Sequence, residues 1–218
     1  MKLFLKNHPW LIFILGILLG ITLLFVYNHF QSPDPNITSQ PKQEAVYFDI
    51  RDNDHILGNK DSNITLVVFQ DFTCPYCRVY IDTLENLIDD YGNSLRIVWR
   101  HFPLNFNNPA AIAAAEAAEC ATEQGQFWSY AKSIFDNQEE LNTNYSNDFF
   151  LKIAKDLDVT ALQECLENNS YRDKAQAHYN EGLIKGVVGT PANFLNGRYI
   201  PGALPYYDLQ QLIDPLIQ

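Results

Sequence analysis

The stretch Ile64-Thr-Leu-Val-Val-Phe-Gln-Asp-Phe-Thr-Cys-Pro-Tyr-Cys77 decides the fold. Its first part, Ile64 to Phe69, is short, apolar and β-branched, which suits a buried strand. Two cysteines, Cys74 and Cys77, follow at once, separated by Pro75 and Tyr76. Beyond them Tyr80, Ile81, Leu84, Leu87 and Ile88 recur at helical spacing as far as Gly92, a stop signal. Leu95 to Arg100 reads as a second strand. Strand, helix and strand in this order predict an α/β fold with a parallel pair joined by a crossover helix.

The cysteine pair is where chemistry is expected. A cysteine at a helix N-terminus faces unpaired backbone N–H groups and the positive end of the dipole. Both favour the thiolate, the nucleophile of thiol–disulfide exchange. Two intervening residues within one helical turn let the sulfurs join or part. A tetrahedral zinc site would need two such pairs or histidines at regular spacing. Cys120 and Cys165 are isolated, with no histidine near either, so no metal is expected. Covalent haem needs a histidine after the second cysteine, and residue 78 is Arg. A purely structural cysteine pair is the bland alternative. A second signal is Gly186-Val-Val-Gly-Thr-Pro191, directly before a strand at Ala192 to Leu195. A proline opening a strand is either cis or part of a simple turn.

Between the second strand and that proline the pattern is helical. Asn108 and Pro109 suit an N-cap and first helical position. Helices are expected at Ala110 to Ala121, Phe127 to Phe135, Asp148 to Leu157 and Arg172 to Lys185, with Thr160-Ala-Leu-Gln163 as a capping box opening one more. Asn196-Gly197 between two short apolar runs, Ala192 to Leu195 and Arg198 to Ile200, signals a hairpin. A closing helix is expected over Asp208 to Ile217, disturbed at its end by Pro215.

The N-terminus differs in kind. Trp10 to Tyr27 is an uncharged, apolar run of 18 residues. As a helix it spans about 27 Å, close to the ~30 Å hydrocarbon core of a bilayer. Aromatic Trp10 and Tyr27 sit at its ends, and Lys2 and Lys6 precede it, so the remainder is expected outside the cytoplasm. A cleaved signal would have a shorter apolar region and a small-x-small site, which the following Tyr27-Asn-His-Phe-Gln does not offer. The expected organisation is a cytoplasmic tip and signal-anchor over 1–30, a proline-bearing linker over 31–44, and one folded domain over 45–218. The 218 residues carry 15 Lys+Arg and 26 Asp+Glu, a net charge of −11. An acidic body without a basic block excludes nucleic-acid binding as an expected function.

Several segments, taken in order and spacing, identify the family that this chain resembles: Phe69-Gln-Asp-Phe-Thr-Cys-Pro-Tyr-Cys-Arg78, Arg100-His-Phe-Pro-Leu104, Ala114-Ala-Glu-Ala-Ala-Glu-Cys120, Gln124-Gly-Gln-Phe-Trp128, Gly186-Val-Val-Gly-Thr-Pro191 and Asn196-Gly197. From about residue 45 to the C-terminus the chain resembles membrane-anchored DsbA-type thiol:disulfide oxidoreductases of the thioredoxin superfamily. The resemblance implies a thioredoxin fold with an inserted α-helical domain at about 105–187, preceded by one N-terminal transmembrane helix. It makes Cys74 the exposed nucleophile and Cys77 the buried resolving thiol. Thr190 and Pro191 become the cis-proline loop facing them, which with Pro75 and Tyr76 forms the substrate platform. Substrate would add there as a strand. One departure stands out: family members often carry an acidic residue six positions before the first cysteine, and here that position is Val68.

Cys120 and Cys165 remain. They are either two buried free thiols or a second disulfide, and export favours the disulfide. It would close 45 residues of chain and contribute roughly 4 kcal/mol by the loop-entropy relation.

The function expected is a dithiol oxidase, needing no cofactor, at the outer face of a cell membrane as a monomer held by residues 10–27. Its partners would be the thiols of exported proteins and, by resemblance, a quinone-linked membrane re-oxidant. A reductase or isomerase kept reduced by a membrane electron donor is the alternative, followed by a non-enzymatic thioredoxin-like binding module.

Overall fold

A computed structural model describes residues 20–24, 45–105, 108–168 and 171–217. The chain divides into two units, Met1–Gln43 and Glu44–Gln218. Of the anchor expected over residues 10–27, only 20–24 are among the described residues, and they are helical. Among the described residues no helix is long and apolar enough to cross a membrane. The linker expected over 31–44 lies outside the described residues.

Among the described residues the second unit is built on five strands: β1 (Ile56–Gly58), β2 (Ile64–Gln70), β3 (Leu95–His101), β4 (Ala192–Leu195) and β5 (Arg198–Pro201). Their order across the sheet is β1-β3-β2-β4-β5. β2 and β3 run parallel, joined by helix α1 (Pro75–Tyr91). The other neighbouring pairs are antiparallel. Asn196 and Gly197 turn β4 into β5 with φ of 46° and 83°, the left-handed geometry of a two-residue hairpin.

β2 is apolar from Leu66 to Phe69 because the sheet is covered on both faces. Leu66 and Val68 pack in the larger core with Tyr80, Ile81, Leu84 and Leu87 of α1. Val67 and Phe69 join Val98, Phe102 and Phe194 in the smaller core on the other face. Fully burying one leucine of such a set contributes about 1.5–3 kcal/mol.

Among the described residues six α-helices lie between β3 and β4: α2 (Pro109–Ala121), α3 (Phe127–Asp136), α4 (Gln138–Asn144), α5 (Asn147–Asp156), α6 (Leu162–Glu167) and α7 (Arg172–Ile184). Asn108 caps α2, its side-chain oxygen accepting from the Ala110 N–H at 3.1 Å. α2 is alanine-rich because it is buried almost all round and must admit α3, α6 and α7 against its backbone. The Cys120–Cys165 disulfide joins α2 to α6 with the Cα atoms 5.8 Å apart. Helix α8 (Tyr206–Ile213) closes the chain against α1 and passes into a 3-10 turn, Asp214–Leu216, at Pro215.

Three local expectations need correction. Strand β1 and helix α4 were not expected; β1 is only three residues long, and α4 buries only Leu141 and Gln138. Thr160 and Gln163 do not form a capping box. The N-cap of α6 is Ala161, without a side-chain bond. The N–H and hydroxyl of Thr160 instead donate to Gln124 Oε1 at 3.0 and 3.1 Å.

Candidate active site

The chain leaves β2 through Gln70 and enters α1 through a loop organised by Asp71. One carboxylate oxygen of Asp71 accepts from the N–H and hydroxyl of Thr73, both at 2.7 Å. The other accepts from the Leu104 N–H at 2.8 Å, which ties the loop to the chain leaving β3. The Asp71 carbonyl accepts from the Cys74 N–H at 3.1 Å. This short-range network suits Asp, whose side chain can bond the backbone two residues on. It delivers Cys74 to the N-cap of α1 with Pro75 in the first turn, a position where the missing N–H of proline costs no hydrogen bond.

Both thiols of the pair are free. Cys77 is fully buried, and burial pushes its thiol well above the usual range. Cys74 is pulled down to about 6. The hydrogen bond from the Cys77 thiol leads, backbone N–H groups of Tyr76 and Cys77 add to it, and together they outweigh burial. One sulfur is thus a thiolate at neutral pH and its neighbour a thiol, the asymmetry that a nucleophile and a resolving group require.

Cys74 was expected to be exposed. It is only 5% exposed, because the Thr190–Pro191 loop lies over it. Cys74 Sγ lies 3.4 Å from the Thr190 carbonyl oxygen, a bond that Cys74 donates only in its thiol form. The Thr190–Pro191 peptide bond is cis. Thr190 Oγ1 is buried without a conventional hydrogen-bond partner among the described residues, and its proximity favours both thiolates. Tyr76 stands out from the surface at 68% exposure beside Cys74. Cys74, Cys77, Pro75, Tyr76, Thr190 and Pro191 are therefore brought together by the end of β2, the start of α1 and the entry to β4. Cys120 and Cys165 lie elsewhere, in the helical block. Val68 faces the apolar core, paired with Trp99 on one side and Asn193 on the other.

Two features escaped sequence reasoning. Gln138 at the start of α4 donates from Nε2 to the carbonyls of Phe72 and Cys74, at 2.7 and 2.9 Å. A buried charged network also joins the sheet to α2 and α7. His101 Nε2 is 2.9 Å from Glu119 Oε1, while His55 Nε2 and Lys174 Nζ are 2.8 and 2.7 Å from Oε2. Burial works against the charge of Glu119, but the bonds from His101 and His55 hold its carboxyl well below the usual range. His101, Glu119 and His178 each offer a metal donor atom, all within 4.8 Å of one another. The chemistry does not fit a metal ion. Trp99 Nε1–H donates to His101 Nδ1 at 3.1 Å, so the ring proton sits on Nε2 and faces Glu119. The Lys174 ammonium already neutralises the carboxylate.

Fold and site together are those of a thiol:disulfide oxidoreductase. The thioredoxin family matches residues 51–215, and the chain belongs to it. A thioredoxin-like oxidoreductase from Silicibacter pomeroyi superposes with a TM-score of 0.62 at 25% identity, covering 76% of this chain and 93% of that one. BdbD from Bacillus subtilis gives 0.68 at 20% identity, covering 78% and 97%. The thiol-disulfide exchange protein alpha-DsbA2 from Wolbachia pipientis gives 0.66 at 20%, covering 74% and 86%. The last two likenesses concern the fold alone. Among curated relatives, the Na(+)/H(+) antiporter NhaA 3 of Salinispora tropica is 37% identical over 149 residues, which cover 67% of this chain and 22% of that protein. NhaA 1 of Mycolicibacterium vanbaalenii is 33% identical over 148 residues, covering 67% and 24%. The chain spans about a quarter of the length of these relatives, whose names describe the longer proteins.

Proposed function

We propose that the chain is a DsbA-type dithiol oxidase acting outside the cytoplasm, held at the membrane by residues 10–27, with exported proteins as its substrates. The acidic Cys74 thiol carries the reading. A thiol pulled from 9 to about 6 stabilises the reduced protein by about 1.4 kcal/mol at pH 7, and so makes the disulfide a stronger oxidant by about 30 mV.

In the reaction a substrate thiolate attacks Cys74 Sγ of the oxidised pair. The Cys74–Cys77 bond breaks, a substrate–Cys74 bond forms, and Cys77 leaves with the electron pair and takes a proton. A second substrate thiolate then attacks the substrate sulfur of this mixed disulfide. The substrate disulfide forms and Cys74 leaves as the thiolate that its surroundings favour. Two electrons now reside on the enzyme dithiol. A quinone-linked membrane partner would remove them with two protons. The Thr190 carbonyl, no longer accepting from a Cys74 thiol, is free for an N–H of an extended substrate.

Replacing Cys77 by Ser should leave the mixed disulfide unresolved on the enzyme side. Non-reducing gels of cells expressing Cys77→Ser should show adducts through Cys74, and Cys74→Ser should show few. The same adducts from both variants would overturn the assignment.

A further inference from the structure

Helix α4 is a polar helix with little apolar reason to be where it is. Of its seven residues only Gln138 and Leu141 are buried. Leu141 packs into the larger core, and the hold on the nucleophile loop is made through side-chain donors. Gln138 and Asn142, one turn apart and so on one face, reach three successive carbonyls of the nucleophile loop. Gln138 Nε2 gives its two N–H groups to Phe72 and Cys74, and Asn142 Nδ2 donates to Thr73 at 3.4 Å. None of these carbonyls has a strand partner, since β2 ends at Gln70.

The Cys74 carbonyl is also the first acceptor of the α1 ladder, receiving the N–H groups of Cys77 and Arg78 at 3.1 and 3.3 Å. Fixing that carbonyl fixes the first turn of α1. The same turn presents the Tyr76 and Cys77 N–H groups to the Cys74 sulfur. We propose that Gln138 is a positioning residue for the exchange reaction, its two N–H donors holding the Phe72 and Cys74 carbonyls so that the inserted helix α4 sets the reactivity of the Cys74 sulfur. The inference rests on the thiol-exchange reading of Cys74 and adds a part of the chain that the reading does not need.

The test is a titration of the Cys74 thiolate in the full-length reduced protein, followed by absorbance at 240 nm and by alkylation rate. Three variants are compared with the wild type. Gln138→Leu keeps the volume and removes both donors. Gln138→Glu keeps the shape and turns oxygens toward the carbonyls. Leu141→Ala loosens the same helix without touching a donor. Gln138→Leu should raise the midpoint by about half a unit to one unit, and Gln138→Glu at least as far. Alkylation at pH 6 should then fall about two- to five-fold. Leu141→Ala should lower the melting temperature and leave the midpoint in place. Either Gln138 variant titrating like the wild type would overturn the proposal, as would Leu141→Ala moving the midpoint as far as Gln138→Leu. A wild-type midpoint near the free-cysteine value of about 8.5 would fail before any variant is compared, and would overturn the reading of Cys74 itself along with the proposal.

Discussion

At Cys74 burial and hydrogen bonding act on one sulfur in opposite directions, and hydrogen bonding wins. The sign has a consequence for pH. The folded thiol titrates at about 6 against 9.0 for an ordinary one. The reduced protein therefore gains stability as pH rises from 6 towards 9, by about 1.4 kcal/mol per unit, and loses that gain as pH falls through 6. Iodoacetamide labelling of Cys74 should climb with pH to a plateau above about 7, while Cys77, buried and pushed upward, stays unlabelled across neutral pH. Mass mapping of the alkylated peptides reads both, and equal labelling of the two cysteines at pH 7 would contradict the asymmetry. This residue-level chemistry was readable from Cys74-Pro-Tyr-Cys77 because a helix start follows a strand directly. The near-complete cover of Cys74 was not, since the residues over it come from 116 positions away.

At the scale of elements, two of the contacts within the helical block and between it and the sheet are open to direct test. The Cys120–Cys165 disulfide closes a loop of 45 residues. Replacing both cysteines by alanine should cost about 2–4 kcal/mol in urea denaturation while leaving thiol exchange at Cys74 intact. Lost exchange with unchanged stability would instead make the pair part of the redox path. Helix α7 meets the sheet at Gly182, where a Cβ would come within 2.6 Å of the Phe102 ring and 3.0 Å of Phe69. Gly182→Ala, which favours an isolated helix by about 1 kcal/mol, should therefore destabilise the protein by about 1–3 kcal/mol through overpacking. Elements with a strong period, β2, α1, β3 and the Asn196–Gly197 hairpin, could be read from the sequence. Helix α4 could not, because its attachment comes from Gln138, whose acceptors lie 64 and 66 residues earlier. The start of α6 was misread for a similar reason. Thr160, a good cap by type, is taken by Gln124 from 36 residues away.

For the molecule as a whole, the buried network beneath the sheet sets the response to acid. His178 is pushed down to about 2, chiefly by burial, with the Arg100 and Lys174 charges adding to the depression and Glu119 pulling the other way. The unfolded chain takes up this proton below pH 6.5 and the folded protein does not. Stability is thus complete above 6.5 and is lost as pH falls below it, at about 1.4 kcal/mol per unit for one histidine. The contribution of Glu119, held low by its partners, is present above pH 4.5 and is lost only below it. Between pH 7 and 5 the wild type should lose about 2 kcal/mol more than His178→Gln in urea denaturation. Parallel curves would contradict a neutral buried His178.

The proposed direction of electron flow rests on the Cys74 thiolate. A stabilised Cys74 thiolate favours the dithiol and makes the disulfide more oxidising than that of an unperturbed pair. The direct measurement is the reduction potential of the Cys74–Cys77 pair, read by equilibrating the full-length protein with defined glutathione ratios. A dithiol oxidase should lie above about −180 mV, towards about −120 mV. A value at or below about −270 mV, the range of a cytosolic reductant, would contradict it.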